Sequence, residues 1–340
     1  MDLLSPVRPL VDAAIGSVCT ACVVRVERVG RGETYAAGSL DPGGEDAPCT
    51  SGTLFDLASL TKLASAALVL TYVRDGTLAF DTPFAELVPA FPRREVTLLQ
   101  VLTHTAGLAW WVPLYKEARG LEAIVAHAAA FPLAHEPGAT LVYSDLGYIM
   151  LTSGMERLGD KPYERLVEER VLAPLGIASV EMRYLPDERE RCAATELDIA
   201  WRGHRLRGEV HDENAYAMGG VAAHAGLFGT ARAVAKLIAA FRDGAVIGDE
   251  LAAEARREHA SAEGGRYGIG VQLKAREDSL LGRYFSADSY GHTGFTGTSL
   301  FVDPERDLTV VLLTNRVYSG RVDEPIRALR IAVHEAVSAT

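Results

Sequence analysis

Ser59 and Lys62 stand three residues apart in the segment Ser59-Leu60-Thr61-Lys62. On a helix, side chains with this spacing share a face, so the hydroxyl and the amine can meet. A serine becomes a nucleophile only with a base, and a lysine removed from water can be that base. The flanking residues, DLASLTKLASAAL, are mostly apolar, which is unusual around a solvated lysine. The spacing predicts a serine nucleophile with its base; the alternative is a helix N-cap serine beside a surface lysine.

A second candidate segment is Tyr143-Ser144-Asp145, which follows Pro137-Gly138 and opens an apolar helical stretch. A nearby cation can stabilise the phenolate of a tyrosine placed just before a helix. Tyr143 is therefore a candidate acid and base. The alternative is a buried tyrosine followed by an ordinary N-cap.

The third candidate segment runs from His292 to Thr298 and reads HTGFTGT near the C-terminus. Small residues and glycines at a strand end let a ligand approach the main chain closely. An edge strand there can donate a backbone N–H to an oxyanion. The alternative is a glycine-rich hairpin bend without a ligand.

The elements that must position these groups follow a simple order: helix, strands, a long helical block, strands and a final helix. Alternation predicts strands over 18–29 and 34–38 and a short strand at Thr53–Leu57. Strands at both ends of a chain usually meet in one sheet, so we expect an α+β fold. Residues 1–57 and 266–340 are predicted to form a discontinuous sheet domain with terminal helices. Residues 58–265 are predicted to form an inserted helical domain, with the active site between the two. The remaining predictions are helices over Ser59–Val73, Leu98–His104, Leu121–Ala130, Leu146–Leu158, Tyr163–Leu172, Ala231–Phe241 and Glu324–Val337, and strands over Tyr267–Leu273, Ser289–Thr293, Thr298–Val302 and Leu308–Leu313.

In this order, the three motifs resemble the serine β-lactamase and penicillin-binding-protein superfamily. The class C-like branch is the most similar; it includes esterases, D-amino-acid peptidases and many hydrolases without an assigned substrate. The resemblance covers residues 5–338 and implies the fold predicted above. Its secondary stretches are LTHTAGL at 102–108, YSDLGY at 143–148, VLAPLG at 171–176 and GLFGTA at 226–231.

The resemblance implies a role for each motif. Ser59 would form an acyl-enzyme, and Lys62 and Tyr143 would share its proton. The backbone N–H groups of Ser59 and Phe295 would form the oxyanion hole, and Asp145 would face the cleft. His292, Thr293 and Gly294 would contact the substrate. No cofactor is implied.

Two positions depart from the penicillin-recognising pattern. His292 stands where those proteins usually carry a lysine, and free histidine is mostly neutral at pH 7. Asp145 stands where many of them carry an asparagine. Both changes weaken the case for an anionic β-lactam. We therefore expect an ester, amide or peptide hydrolase rather than a physiological β-lactamase; the alternative is a catalytically idle binding or scaffold module.

Two further groups of residues border these motifs. Trp110 and Trp111 follow the LTHTAGL stretch and are candidates to line the acyl pocket, with a core-capping loop as the alternative. Four polar residues flank Gly219-Gly220, and we expect a hydrogen-bonded loop at the cleft rather than a triad or a metal site. They are His211, Asp212, Asn214 and His224. No metal-ligand spacing occurs among the nine histidines.

Composition limits the partners. The formal net charge is −11, which argues against nucleic acid and against an acidic membrane surface. No signal peptide and no apolar run of about 18 residues is visible, so we expect a cytoplasmic bacterial protein. The four cysteines read as core residues rather than a disulfide framework. A small molecule or short peptide is the expected substrate, and nothing in the sequence specifies an oligomer.

Overall fold

The computed structural model describes residues 2–263 and 265–339, so Met1 and Thr340, the predicted outer limits of the sheet domain, lie outside the described residues. The helices are Arg8–Ala14 (α1), Thr61–Arg74 (α2), Phe84–Leu87 (α3), Leu98–Leu102 (α4), Leu121–Ala130 (α5), Leu146–Gly159 (α6), Tyr163–Val167 (α7), Glu213–Ala217 (α8), Ala231–Leu237 (α9), Ala239–Arg242 (α10), Asp249–Arg256 (α11) and Glu324–Ser338 (α12). The strands are Ala21–Arg28 (β1), Arg31–Gly38 (β2), Phe55–Asp56 (β3), Met182–Tyr184 (β4), Leu197–Asp198 (β5), His204–Arg205 (β6), Leu227–Gly229 (β7), Ala260–Ala262 (β8), Gly265–Tyr267 (β9), Gln272–Leu273 (β10), Tyr290–Thr293 (β11), Ser299–Asp303 (β12) and Leu308–Thr314 (β13).

The main sheet joins the two ends of the chain. Its eight strands lie in the order β2-β1-β13-β12-β11-β10-β9-β8. Every neighbouring pair is antiparallel; β1 pairs along its length with β13, for example Val24 with Leu312. The predicted α+β fold with an antiparallel sheet is therefore confirmed.

The two faces of the sheet bury different cores. Side chains alternate along a strand, so Val310 and Leu312 of β13 face one side while Val311 and Leu313 face the other. The first pair packs in a cluster with α1 and α12, and the second pair packs with the long helical part of the chain. The terminal helices thus cover the outer face, and the helical block covers the inner face.

Two strands differ from their predicted membership. β3, predicted at Thr53–Leu57 as part of the sheet domain, pairs with β7 in a separate three-stranded sheet. β8 lies before the predicted boundary at residue 266 and still joins the edge of the main sheet. Both strands are very short, so their partners depend on tertiary packing rather than on local pattern. The division into two domains stays a prediction.

Helix α2 runs through the centre of the molecule. Its residues from Thr61 to Tyr72 are all buried, including Lys62 at 0% exposure. A short 3-10 turn, Ala58–Leu60, precedes it and brings Ser59 to the interface between the sheet and the helical block. In the described part of the chain, no helix is long and apolar enough to cross a bilayer.

Candidate active site

The turn before Ser59 holds a strained backbone. Ala58 has φ of +45°, a left-handed conformation that costs a residue with a side chain on the order of 1 kcal/mol. The carboxylate of buried Asp56 accepts the Ala58 N–H at 2.8 Å and stabilises the turn. Its other oxygen accepts the N–H of His211 at 2.6 Å, although burial raises the pKa of Asp56. Asp56, which no sequence motif singles out, thus positions the turn before Ser59 and a neighbouring loop together.

Lys62 makes three polar contacts with its buried amine. Nζ lies 3.0 Å from the hydroxyl oxygen of Ser59 and 2.7 Å from Oδ1 of Asp145. It also donates to the backbone carbonyl of His224 at 3.2 Å. A buried charge needs such partners, because its desolvation is otherwise very costly. The predicted meeting of Ser59 and Lys62 on one helix face is present in this geometry.

Tyr143 completes the group around Ser59. Burial, and secondly the charge of Asp145, raise the pKa of Tyr143 well above its usual value, opposed by a hydrogen bond with Ser59. Its phenol therefore keeps its proton at neutral pH when the site is empty. The amine of Lys62 lies 5.0 Å from the centre of the Tyr143 ring, so any phenolate formed there would lie beside a cation.

His104 supports the tyrosine from behind. Its ring centre lies 4.5 Å from that of Tyr143, and its Nδ1 accepts the N–H of Ser144 at 3.1 Å. Burial, with a contribution from Lys62, holds the pKa of His104 well below its usual value, so the ring is neutral and can accept. In the sequence, His104 lies within the LTHTAGL stretch, and nothing in that pattern distinguishes it from its neighbours. Tyr267, another unpredicted residue, packs on the same group, 6.0 Å from Tyr143 between ring centres.

His292 at the end of β11 is neutral as well. Burial, and then the charge of Lys62, lower the pKa of His292 to about 3. Its Nδ1–H donates to the carbonyl of Thr293 at 2.7 Å, which fixes the tautomer and leaves Nε2 as an acceptor. The position therefore carries no positive charge at neutral pH.

The turn after β11, residues 293–298, is held against the segment that precedes Ser59. Thr296 Oγ1 donates to the carbonyl of Asp56 at 2.7 Å, and Thr298 Oγ1 donates to the carbonyl of Leu57 at 3.1 Å. Gly294 is required by this approach, since a Cβ there would lie 2.1 Å from Thr298 Oγ1 and 2.5 Å from the Leu57 carbonyl. The main chain of Phe295 is thereby placed relative to Ser59 by hydrogen bonds rather than by a flexible loop.

A cavity of about 470 Å³ opens in front of Ser59. Most of the predicted site residues line it: Ser59, Trp110, Trp111, Tyr143, Asp145, His292, Thr293 and Phe295. Lys62 lies buried behind this wall, and Gly294 instead lines a second cavity on the far side of the turn. The other lining residues are Ala58, His211, Asp212, Glu213, His224, Ala225, Tyr267 and Arg321.

The polar loop beside Gly219-Gly220 borders this cavity, as predicted, and its polar residues form hydrogen bonds with different partners. His224 Nε2 lies 2.8 Å from Asp212 Oδ1, and His211 Nε2 lies 2.8 Å from Glu196 Oε2. Asn214 accepts the N–H of Tyr115 and donates to the carbonyl of Val112, both at 2.9 Å, so it holds the tryptophan segment in place. Over residues 2–263 and 265–339, no three metal-ligating side chains cluster.

Comparison with known proteins agrees with this geometry. The model of the family described as Beta-lactamase matches residues 22–334. A relative from Escherichia coli (strain K12), provisionally named D-alanyl-D-alanine carboxypeptidase, is 32% identical over 314 residues, covering 81% of this chain and 71% of its own.

Solved structures give the same fold. The structure of EstCE1, a hydrolase with promiscuous acyltransferase activity, superposes with a TM-score of 0.81 at 21% identity and covers 98% of both chains. A D-amino acid amidase from Ochrobactrum anthropi SV3, complexed with L-phenylalanine, gives 0.80 at 21% identity, covering 100% of this chain and 98% of its own.

A buried lysine beside a serine at the start of a central helix, behind an antiparallel sheet, defines a serine hydrolase. The chain belongs to the β-lactamase family.

Proposed function

We propose that the protein hydrolyses an ester, amide or peptide bond through an acyl-enzyme on Ser59. The observation that carries this proposal is the buried amine of Lys62, 3.0 Å from the Ser59 hydroxyl and 2.7 Å from Asp145. A desolvated lysine with one serine and one carboxylate as side-chain partners is arranged to transfer a proton. A lysine that only stabilises the fold would more commonly form an ion pair at the surface. An idle scaffold would have no need to keep such a group buried.

The reaction has two halves. In the reacting form, the Lys62–Tyr143 pair holds one proton fewer than an ammonium and a phenol together. Ser59 Oγ attacks the carbonyl carbon while its proton passes to this pair, and the pair then protonates the leaving alcohol or amine. Water next attacks the acyl-enzyme, gives up a proton to the same pair, and releases the acid and free Ser59. General acid and base steps of this kind contribute about 10²- to 10⁴-fold each.

The developing oxyanion needs donors that are in place beforehand. We assign this role to the backbone N–H groups of Ser59 and Phe295. Ser59 lies in the first turn of a helical segment, where N–H groups have no partner within the helix. Phe295 lies in the turn that Thr296 and Thr298 fasten to the strand before the nucleophile. Donors fixed in this way need no rearrangement during the reaction.

The substrate we propose is a small molecule or short peptide, consistent with a cavity of about 470 Å³. A β-lactam or a peptide with a free C-terminal carboxylate would need a cation near the cleft. His292 is neutral there, and Arg321 already pairs with Glu196 and Glu213 at 2.7 Å each. The carboxypeptidase name of the relatives therefore describes this site less well than an esterase or amidase activity does.

A fluorescent fluorophosphonate probe tests the proposal directly. We expect it to label the wild-type protein on Ser59, and we expect turnover of p-nitrophenyl butyrate. In Ser59→Ala both should fall by about 10⁴-fold or more, because no nucleophile remains. Ser51→Ala, in an exposed loop, is the matched control and should label normally. Failure of the wild-type protein to label or to turn over any ester or amide would favour the scaffold alternative.

A further inference from the structure

Asp212 presents an ionised carboxylate to the active-site cavity. Burial alone would raise its pKa, but the charge and hydrogen bond of His224 and the N–H of Ala215 hold the pKa of Asp212 below its usual range. Both of those hydrogen bonds go to Oδ1, at 2.8 Å and 2.7 Å. Among the described residues, none donates a hydrogen bond to Oδ2. The side chain is 19% exposed and lines the cavity, so one carboxylate oxygen is available to a ligand.

His224 is the side-chain partner of Asp212 and also lines the cavity. Its side chain is 1% exposed, and its Nε2–H donates to the Asp212 carboxylate. Within the described residues, Nδ1 of this ring has no hydrogen-bond partner. The hydrogen bond from His224 occupies Oδ1 of Asp212 and not Oδ2.

The remaining charges of the cavity do not supply such a donor. Lys62 is paired with Asp145, and Arg321 with Glu213. His292, which also lines the cavity, is neutral. Asp212 instead pairs with His224, and one of its carboxylate oxygens has no donor among the described residues.

We propose that Asp212 and His224 form a subsite for an ammonium group of the substrate. The preferred substrates are then aminoacyl esters, aminoacyl amides or peptides cleaved after a residue with a free amino group. The ammonium is bound and is not changed; the bond broken is the acyl C–O or C–N bond, and water supplies the new carboxyl oxygen. This inference rests on the proposed acyl transfer at Ser59 and specifies which acyl groups the site accepts.

A matched series of p-nitroanilides tests the subsite, because the leaving group is constant. Alanine p-nitroanilide, as both enantiomers, carries the ammonium; propionyl p-nitroanilide lacks it; succinyl p-nitroanilide carries a carboxylate instead. We expect kcat/KM for the better alanine enantiomer to exceed that for the propionyl compound by at least about tenfold, since hydrogen bonds between charged groups are among the stronger ones. The succinyl compound should be the poorest.

Asp212→Asn isolates the charge. Asparagine also caps helices, so the start of α8 should be retained. We expect the ratio of alanine to propionyl turnover to fall close to one in this variant. Asp187→Asn, whose side chain is 78% exposed and pairs with Arg183, is the control and should keep the wild-type ratio.

The outcomes separate the two proposals. Equal turnover of alanine and propionyl compounds, or a preference for the succinyl compound, overturns the ammonium subsite and leaves the Ser59 hydrolase standing. A wild-type preference that survives in Asp212→Asn overturns the assignment to Asp212. If no substrate turns over and the fluorophosphonate probe does not label Ser59, both proposals fail.

Discussion

Two cavities flank the turn at residues 293–298, and the larger one is not the candidate active site. The front cavity, about 470 Å³, contains Ser59. The rear cavity, about 520 Å³, lies between the main sheet and α12 and is lined by both basic and acidic side chains. Its charged residues are Lys274, Glu277, Asp278, Arg316, Arg321, Asp323, Arg327 and Arg330. The comparison shows that a candidate active site is identified by side chains arranged for one reaction and not by the volume of its cavity.

A deeply buried cation lies beside each cavity, Lys62 at the front and Arg330 at the rear, and the two have different roles. Lys62 in front binds the hydroxyl of Ser59. Arg330 behind donates to the carbonyls of Gly294 and Thr298, at 3.1 and 2.8 Å. Burial lowers the pKa of Arg330 only to about 10, so it stays charged at neutral pH. A lysine can release and accept a proton during a reaction. An arginine stays protonated, so Arg330 can only fix the backbone of the turn through its hydrogen bonds.

Lys62→Arg is the strongest test of this contrast. Arginine keeps the positive charge that faces Asp145 but cannot accept the serine proton. We expect kcat/KM for p-nitrophenyl butyrate to fall by at least about 10³-fold, in the range of a lost general base. Lys161→Arg, at a surface pair with Glu169, is the control. Activity within about tenfold of wild type would remove Lys62 from the base system.

A second test concerns the wall shared by the two cavities, where Arg321 lines both. The hydrogen bond from His211, together with Arg321, lowers the pKa of Glu196 to about 2 from 4.5, although burial opposes this. The lowered pKa corresponds to at most about 3 kcal/mol of stability at neutral pH, and solvent screening of this partly exposed carboxylate, 23% exposed, reduces that figure. Glu196→Gln should therefore reduce the free energy of unfolding by about 2 kcal/mol at pH 7.

The sign of the pH dependence follows from the direction of the shift. The contribution of Glu196 is fully present above its ordinary pKa of 4.5 and is lost as the pH falls towards about 2. Urea unfolding at pH 7, 5, 4 and 3 should show the difference between wild type and Glu196→Gln shrinking below pH 5. A difference that stays constant or grows on acidification would contradict the assignment.

The local sequence pattern predicted much of this architecture, chiefly the longer helices and strands. Helix α5 occupies Leu121–Ala130, as its pattern indicated, and β13 runs one residue beyond its predicted end. Long apolar periodicity specifies such elements by itself. The strand at Phe55–Asp56 was found but assigned to the wrong sheet, because two residues carry no information about their partner.

The residues of the candidate site also fall into two groups, those that the sequence pattern predicted and those that it did not. Ser59 and Lys62 were predictable because both lie in one helical segment at a fixed spacing. Asp56, His104 and Tyr267 were missed because their roles come from contacts between segments distant in sequence: Asp56 accepts the His211 N–H, and His104 accepts that of Ser144. The pairing of Asp212 with His224 was likewise visible as composition but not as geometry.

Arg330→Met tests whether the rear cavity only supports the front one. Loss of the two hydrogen bonds should loosen the turn that carries Phe295, so we expect kcat to fall by about tenfold, less than for deletion of an oxyanion donor. KM should change little, because Arg330 does not line the front cavity.

Two further measurements identify Arg330 as a positioning residue. Arg330→Lys restores one donor and should recover part of kcat, while thermal unfolding reports any general loss of stability. Arg327→Met, at a more exposed pair with Asp278 in the same rear cavity, is the control. A rise in KM without a fall in kcat would show that the rear cavity contributes to substrate binding directly.

His292→Lys should have the smallest effect and tests the front cavity's charge. A lysine there would add a cation for carboxylate-bearing substrates, yet the site is buried and already feels the charge of Lys62, which lowers the pKa of His292 itself. The same repulsion would oppose a second ammonium. We therefore expect only about a three- to tenfold rise in the turnover of succinyl relative to propionyl p-nitroanilide. A change of this size is what one additional charge pair with the substrate can produce. An unchanged ratio would remove His292 from substrate selection and leave Asp212 as the charge that decides it.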